Sequence, residues 1–437
     1  MFTRLLPILL ISFFFLMPAH LRAAVPQVQE IHTPKGLTVW LIEDHHLPVV
    51  SVRAAFDASG DAYAATSPQG APYFAARMLS EGAGDLAREA FAKALQERAI
   101  SLNVGFDHDH LSFELDALSE HFAKGIELAG LALSAPRFDK SDIERVRGEL
   151  LSQLRLQEQK PDYHAARAFR AAAYASHPYS RALLGTEQTL KSMTRNDLKN
   201  SLHLRADTLR IAVSGDVTAA QVSKAVDDAF ASLLPVGIAP PQRIRESVWP
   251  LNQQAIVKKA AFPQAVVTFA LPGLARSDPD FYAAYLMNYM LGGGGFDSRL
   301  TDEVRRKRGL TYSVYTGFVM DDASKLLQGG LATQASKAKE ALQVVREVIK
   351  DVHDHGFTED ELARAKRYIT GSFPLDIDAN SERAGFLLIM QLQGLGSDYL
   401  SKRNHLMQQV KLADVNRMAK RLLVSELMLS VTVGDVP

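Results

Sequence analysis

Two histidine pairs in this chain have the spacing to hold a metal ion, His108 with His110 and His353 with His355. Residues two apart share one face of a strand, so His108 and His110 could reach the same ion. Neither pair has an evident carboxylate or third ligand at matched spacing, and a polar surface is the simpler reading of both. Nucleophilic chemistry has little to work with. Cysteine is absent, so no thiolate can attack or ligate, and no Gly-x-Ser-x-Gly elbow exposes a serine. Gly292-Gly293-Gly294-Gly295 is followed by no Lys-Ser or Lys-Thr, which argues against a phosphate cradle and for a turn between helices. The run Arg305-Arg306-Lys307-Arg308 reads, from spacing alone, either as a solvated helix face or as the carrier of a functional cation.

The elements that must position these groups belong to a globular chain. Its 437 residues are 47% hydrophobic and 22% charged, enough apolar material for large cores. Lys plus Arg and Asp plus Glu both number 49, so no net field favours nucleic acid or an acidic membrane surface. Arg4, the apolar run Leu5 to Met17 and the small pair Ala23-Ala24 predict an export signal over 1–24. As helix that run covers only about 20 Å of a bilayer core about 30 Å thick, so it is read as cleaved rather than retained. Export without cysteine suits a bacterial periplasm, or secretion, with no membrane attachment after cleavage.

Apolar runs predict strands over Leu37 to Glu43 and Val49 to Phe56, paired through the turn Asp44-His45-His46. Helical periodicity runs over Ser67 to Leu79, Arg88 to Arg98, Ser119 to Leu133 and Asp139 to Gln157, the last opening on a cap of Ser141, Asp142 and Glu144. Ser101 to Phe106 and Leu111 to Leu115 alternate like strands. The segment Leu234 to Pro241 breaks all periodicity, which predicts a linker over 233–250 between domains at 25–232 and 251–437. The halves echo one another. Ser101-Leu102-Asn103-Val104-Gly105-Phe106 is answered by Ser313-Val314-Tyr315-Thr316-Gly317-Phe318, and Phe138 to Arg145 by Phe357 to Arg364. The expected fold is therefore α+β, two tandem homologous domains, each an antiparallel sheet with helices on one face.

This order of strands, turn and helices resembles the pitrilysin/insulinase-type (inverzincin) zinc peptidases, the family of the mitochondrial processing peptidase, over nearly the whole mature chain. Active members carry His-x-x-Glu-His, usually followed by Met-Leu, with a third ligand Glu on a later helix. The two His stand one turn apart and reach one Zn²⁺, while the Glu serves as general base. Aligning Met78-Leu79 with that motif puts Tyr73 and Arg77 at the two His positions, Ala76 at the base and Gln153 at the third ligand. Arg stays protonated and Ala has no proton acceptor, so the metal set is erased. None of the 13 His belongs to another His-x-x-Glu-His.

The resemblance also implies a role for the second half, where the family places an Arg and, seven residues on, a Tyr that bind the substrate carbonyl across an enclosed chamber. They map onto Arg305 and Tyr312. A zinc set lost and a donor set kept resembles the non-catalytic alpha subunit of the mitochondrial processing peptidase. The expectation is a chain without its own metal, forming half of a clamshell with a zinc-bearing homologous subunit and holding peptide for it. An accessible strand edge would receive that peptide, with Val49 to Phe56 and Val266 to Leu271 as candidates. A structural or peptide-binding protein without a part in proteolysis is the alternative.

Overall fold

The computed structural model describes residues 26–234, 242–250 and 254–437; the expected export signal and the centre of the expected linker lie outside them. Residues 242–250 run without regular structure, as a connection between domains should.

The first half contains β1 (Gln29–His32), β2 (Thr38–Glu43), β3 (Val49–Phe56), α1 (Ala71–Met78), a short hairpin β4 (Gly82–Ala83) and β5 (Leu86–Ala87), and α2 (Arg88–Gln96). It continues through β6 (Ser101–Phe106), β7 (Leu111–Leu118), α3 (Phe122–Ser134), α4 (Lys140–Glu158), α5 (Pro161–Tyr174), α6 (Glu187–Ser192), α7 (Arg195–Lys199), β8 (Leu209–Gly215) and α8 (Ala219–Phe230). The second half contains β9 (Gln254–Lys259), β10 (Gln264–Pro272), α9 (Phe281–Asn288), β11 (Val314–Asp321), β12 (Ser324–Gln334) and α10 (Ala338–His355). It ends in α11 (Glu359–Ser372), α12 (Asn380–Leu392), α13 (Tyr399–Gln409), α14 (Leu412–Leu422) and β13 (Leu429–Gly434).

The sheets repeat each other strand for strand. The first runs β1-β2-β8-β3-β7-β6 and the second β11-β12-β10-β13-β9, so that, β1 aside, one order is the other reversed in reading direction. The repeated segments fall on equivalent elements: β6 and β11 are both outermost strands, and α4 and α11 both follow the long helix behind them. Each sheet also holds one parallel pair, β2 with β8 and β13 with β9, within the antiparallel pattern.

Three local expectations are corrected. β2 and β3 are not neighbours, because β8, arriving from much later in the chain, is inserted between them. The candidate edges Val49 to Phe56 and Val266 to Leu271 are interior strands, each paired on both sides. The cap of α4 is also different: Asp139 stands at the N-cap without a side-chain capping bond, its carboxylate accepting from Arg137 Nε at 2.7 Å, and Asp142 pairs with Arg88 at 3.2 Å.

Helices cover both faces of each sheet, and the second face is covered by the other half. Val39 and Leu41 of β2 join one core with Phe122 and Ile126 of α3 and Val222 and Val226 of α8. The alternate residues Trp40 and Ile42 pack on Leu387 and Met390 of α12, which comes from the second half. Reciprocally, Val266 and Ala270 of β10 meet Ala165, Ala168 and Phe169 of α5, which comes from the first. Two-faced burial is why these strands read as unbroken apolar runs rather than alternating ones. The exchange is fastened by polar contacts, including Ser214 Oγ donating to Asn380 Oδ1 at 2.9 Å and Arg383 bonding Asp44. Among the described residues no helix is long and apolar enough to cross a membrane.

Candidate functional site

The four residues expected at the erased metal set lie on α1 and α4. Gly70 enters α1 at φ 85°, with Pro72 in the first turn. Ala71, Phe74, Ala75 and Met78 bury one stripe of α1 against Ile143, Val146, Leu150 and Leu154 of α4. That packing turns Tyr73 towards Phe106 at the end of β6, edge to face at 6.4 Å between ring centres. Tyr73 and Gln153 line one cavity of about 430 Å³. Ala76 is buried in the first core at 3% exposure. Arg77 is exposed and makes no hydrogen bond or ion pair among the described residues, so it does not fill the vacated position.

The far wall of the cavity is α5. Its stripe of Ala165, Ala168, Phe169 and Ala173 is committed to the second sheet, which leaves Tyr163, Arg167 and Arg170 on the cavity side. Arg181 closes one end and is held by the buried Asp61, with Nε to Oδ2 at 2.9 Å. Burial pushes the Asp61 carboxyl up, and Arg181 opposes that shift. His108 and Asp107 enter from the β6–β7 turn, which is clamped by backbone bonds from Ser59, Gly60, Asp61 and Ala62.

Both histidines of that turn depart from the expectation of a polar surface. His108 is 8% exposed, and burial, reinforced by the charges of Arg170 and Arg181, holds its imidazole down to about 3. It is neutral. His110 does have carboxylates near it: one ligand atom each of Asp57, His110 and Asp322 lies within 4.8 Å of the others. The carboxylates were invisible in local spacing because they come from the turn after β3 and from the β11–β12 turn. A guanidinium already supplies the positive charge there: Arg243 binds Asp57 through two bonds of 2.9 and 2.6 Å and Asp322 at 2.7 Å. Tyr63 donates to Asp322 at 2.6 Å. His353 and His355 follow expectation, lying at the surface beside Asp354 and Asp351.

The residues around Tyr73 do not suit a zinc ion. A metal needs several converging lone pairs, whereas this cavity offers mainly guanidinium N–H, amide and phenol groups, with one lining carboxylate, Asp107, and one neutral imidazole, His108, whose Nδ1 has no hydrogen-bond partner among the described residues. That carboxylate accepts from the backbone N–H groups of Asp109 and His110, each at 2.7 Å.

Arg305 and Tyr312 lie elsewhere, on the second half. The glycine run before them is a turn, as expected: α9 ends in a π-helical turn over Tyr289–Gly293, and Gly292 packs so tightly on Thr316 that a Cβ would stand 2.5 Å from its Oγ1. Arg305 sits in a second π-helical turn, Thr301–Arg306. Such turns shift the register of side chains and recur at functional sites. The Arg305 guanidinium lies between two aromatic rings, 4.8 Å from Phe296 and 4.7 Å from Tyr312. Its neighbours in the basic run are all paired with carboxylates, Arg306 with Asp302, Lys307 with Asp302 and Glu303, and Arg308 with Glu303. Among the described residues Arg305 alone in that run pairs with no anion, and Tyr312 is 81% exposed.

Comparison with known proteins agrees with the geometry. Two family descriptions match in tandem: Insulinase (Peptidase family M16) over residues 38–187, and Peptidase M16 inactive domain over residues 192–369. A curated relative, the non-peptidase homolog YmxG of Helicobacter pylori, is 28% identical over 92% of each chain. A crystal structure of a peptidase M16 inactive domain from Pseudomonas fluorescens superposes with a TM-score of 0.86 and 28% identity, covering 94% of this chain and 98% of that one. The crystal structure of a protease from Helicobacter pylori has the same fold at 16% identity, with a TM-score of 0.85 over 94% of this chain and all of that one. The chain therefore belongs to the insulinase-type M16 peptidase family.

Proposed function

We propose that this chain is the non-catalytic, substrate-binding and transition-state-assisting subunit of a heterodimeric periplasmic zinc metallopeptidase that degrades or processes peptides. One observation carries the reading: Arg305 keeps its donors unspent beside the exposed hydroxyl of Tyr312, while every other cation of its run is neutralised. The two rings fix the guanidinium without consuming its in-plane N–H groups. Donors held in advance where charge develops stabilise an oxyanion with little reorganisation. The zinc belongs to a homologous partner chain, and the two chains close as a clamshell around the substrate. Outermost β11 begins at Val314, two residues beyond Tyr312, and offers the peptide a main-chain edge beside the donors; β6 offers a second beside Tyr73. Periplasmic placement rests on the N-terminal signal pattern and is checked by fractionating cells that express the tagged chain.

The test is reconstitution with a zinc-bearing homologous chain. Hydrolysis of a quenched fluorescent peptide is expected only when both chains are present. Arg305→Ala should lower kcat about 10²-fold, the loss typical of one oxyanion donor, while gel filtration shows unchanged assembly. Full turnover by both Arg305→Ala and Tyr312→Phe would refute the catalytic assistance and leave a purely structural or peptide-binding role.

A further inference from the structure

We infer that the cavity at the vacated metal position is a carboxylate-binding pocket. Its ligand is a peptide carboxylate, supplied by a free C-terminus or by an acidic side chain. The argument is an inversion of polarity. A zinc site converges acceptors, but here the two arginines of α5 face the cavity with most of their donors unspent. Arg167 bonds no other group among the described residues, and rests only on the Tyr163 ring at 5.6 Å. Arg170 gives one bond of 3.2 Å, to the carbonyl of Tyr179. Amide side chains of Gln153 and Gln157, also without partners among the described residues, add neutral donors on the α4 wall.

The acids nearby form no ion pair with Arg167 or Arg170 among the described residues. Asp107 is held through Oδ1 by two backbone N–H groups, and Asp61 is committed to Arg181. Asp321 acts on Arg170 only through space and forms no ion pair with it; burial, then repulsion from Asp109, raises its carboxyl to about 6. Two forks one turn apart on α5 match the geometry in which guanidinium groups grip a carboxylate. A volume of about 430 Å³ accommodates the end of a peptide rather than a long segment. The peptide nature of the ligand rests on the proposed substrate-binding role, whereas the preference for a carboxylate rests on this cavity alone.

The test uses the full mature chain without any partner, so a failure to activate a zinc subunit leaves it intact. Three fluorescent N-acetylated pentapeptides are titrated by anisotropy: a neutral one with a free C-terminus, its C-terminal amide, and an amide containing one Glu. One or both carboxylate-bearing peptides should bind about tenfold or more tightly than the neutral amide, with the advantage shrinking as salt rises. Preference for the first alone identifies the terminal carboxylate, and for the third alone the side chain. Arg170→Gln should abolish the preference. Arg167→Gln, at an exposed position, should weaken it severalfold without risk to the fold, and Arg77→Gln should leave it unchanged. Equal binding of all three peptides, no binding of any, or retention of the preference in both α5 variants overturns the inference.

Discussion

Removing one hydroxyl should loosen the whole molecule. Tyr179 is fully buried where the two halves meet. Its hydroxyl donates to Asp109 Oδ1 at 2.5 Å and accepts from the Ala323 N–H at 2.9 Å. Asp109 takes a second bond, 2.9 Å long, from the Asp322 N–H. One phenol and one carboxylate of the first half thus hold the tip of the β11–β12 hairpin of the second. Tyr179→Phe preserves the ring and removes both bonds. Losing a hydrogen bond to a charged acceptor costs about 1.5–3 kcal/mol, and orphaning the buried Ala323 N–H costs about 1–3 kcal/mol. Asp109 keeps its bond from Asp322, which places the expected net near the lower half of that sum, about 3 kcal/mol. Tyr174→Phe is the internal control. Tyr174 is also buried, and among the described residues its hydroxyl meets only Ser324 Oγ, at 3.3 Å, so about 1 kcal/mol or less is expected. Urea unfolding of the two variants, compared at unchanged m, reads the difference directly. A Tyr179→Phe loss no greater than that of Tyr174→Phe would refute the claim that this hydroxyl joins the halves.

Two other substitutions probe the same region and the erased site. Asp321 titrates at about 6 in the folded chain against an ordinary 3.8, so its burial favours the folded state only while the carboxyl is protonated; that contribution is full below about pH 4 and is lost as pH rises through 6. Asp321→Asn should therefore stabilise the protein by about 1–3 kcal/mol at pH 7 in urea unfolding, with the gain vanishing near pH 4, and a gain independent of pH would contradict the assignment. Ala76→Glu restores the residue type of the catalytic base but sets a carboxylate into the first core, where Ala76 packs with Leu79 and Phe91. A loss of several kcal/mol and no acquired zinc by metal analysis are expected, and a stability within about 1 kcal/mol of the parent would show that the position opens towards the cavity instead.

The parts of the fold visible in the sequence are those that local pattern determines. Val49 to Phe56 and Ser101 to Phe106 are strands over the residues their composition indicates, and the echo between Phe138 to Arg145 and Phe357 to Arg364 marks equivalent helices in the two halves. Pairing is not local. Nothing in the turn Asp44-His45-His46 announces that β8 will come between β2 and β3, because the competing strand lies far along the chain and wins by burying both of its faces. The unbroken apolar run Val39-Trp40-Leu41-Ile42 did contain a usable signal, since a strand without alternation must be covered twice; what periodicity cannot say is that the second cover is α12. At the candidate site, Tyr73 and Gln153, which line one cavity, were singled out by the family motif. Arg167 and Arg170 were not, because a basic residue on an amphipathic helix looks solvated until the opposite stripe of that helix is known to be buried.

The exchange of α5 and α12 between the halves bears on how such a chain can work. Undocking α5 would expose Val266 and Ala270 of the second sheet, and undocking α12 would expose Trp40 and Ile42 of the first, each together with the apolar stripe of the helix itself. The two halves are therefore tied as one body, and the arginines of α5 ride on the second sheet even though they face a cavity of the first. In that arrangement α5 is the element through which anything bound beside Tyr73 is coupled to the sheet whose outermost strand, β11, starts next to Tyr312. What distinguishes the two ends chemically is the partner of each cation: half-buried Arg170 gives one bond to the Tyr179 carbonyl on the cavity wall, whereas half-buried Arg305 meets the rings of Phe296 and Tyr312.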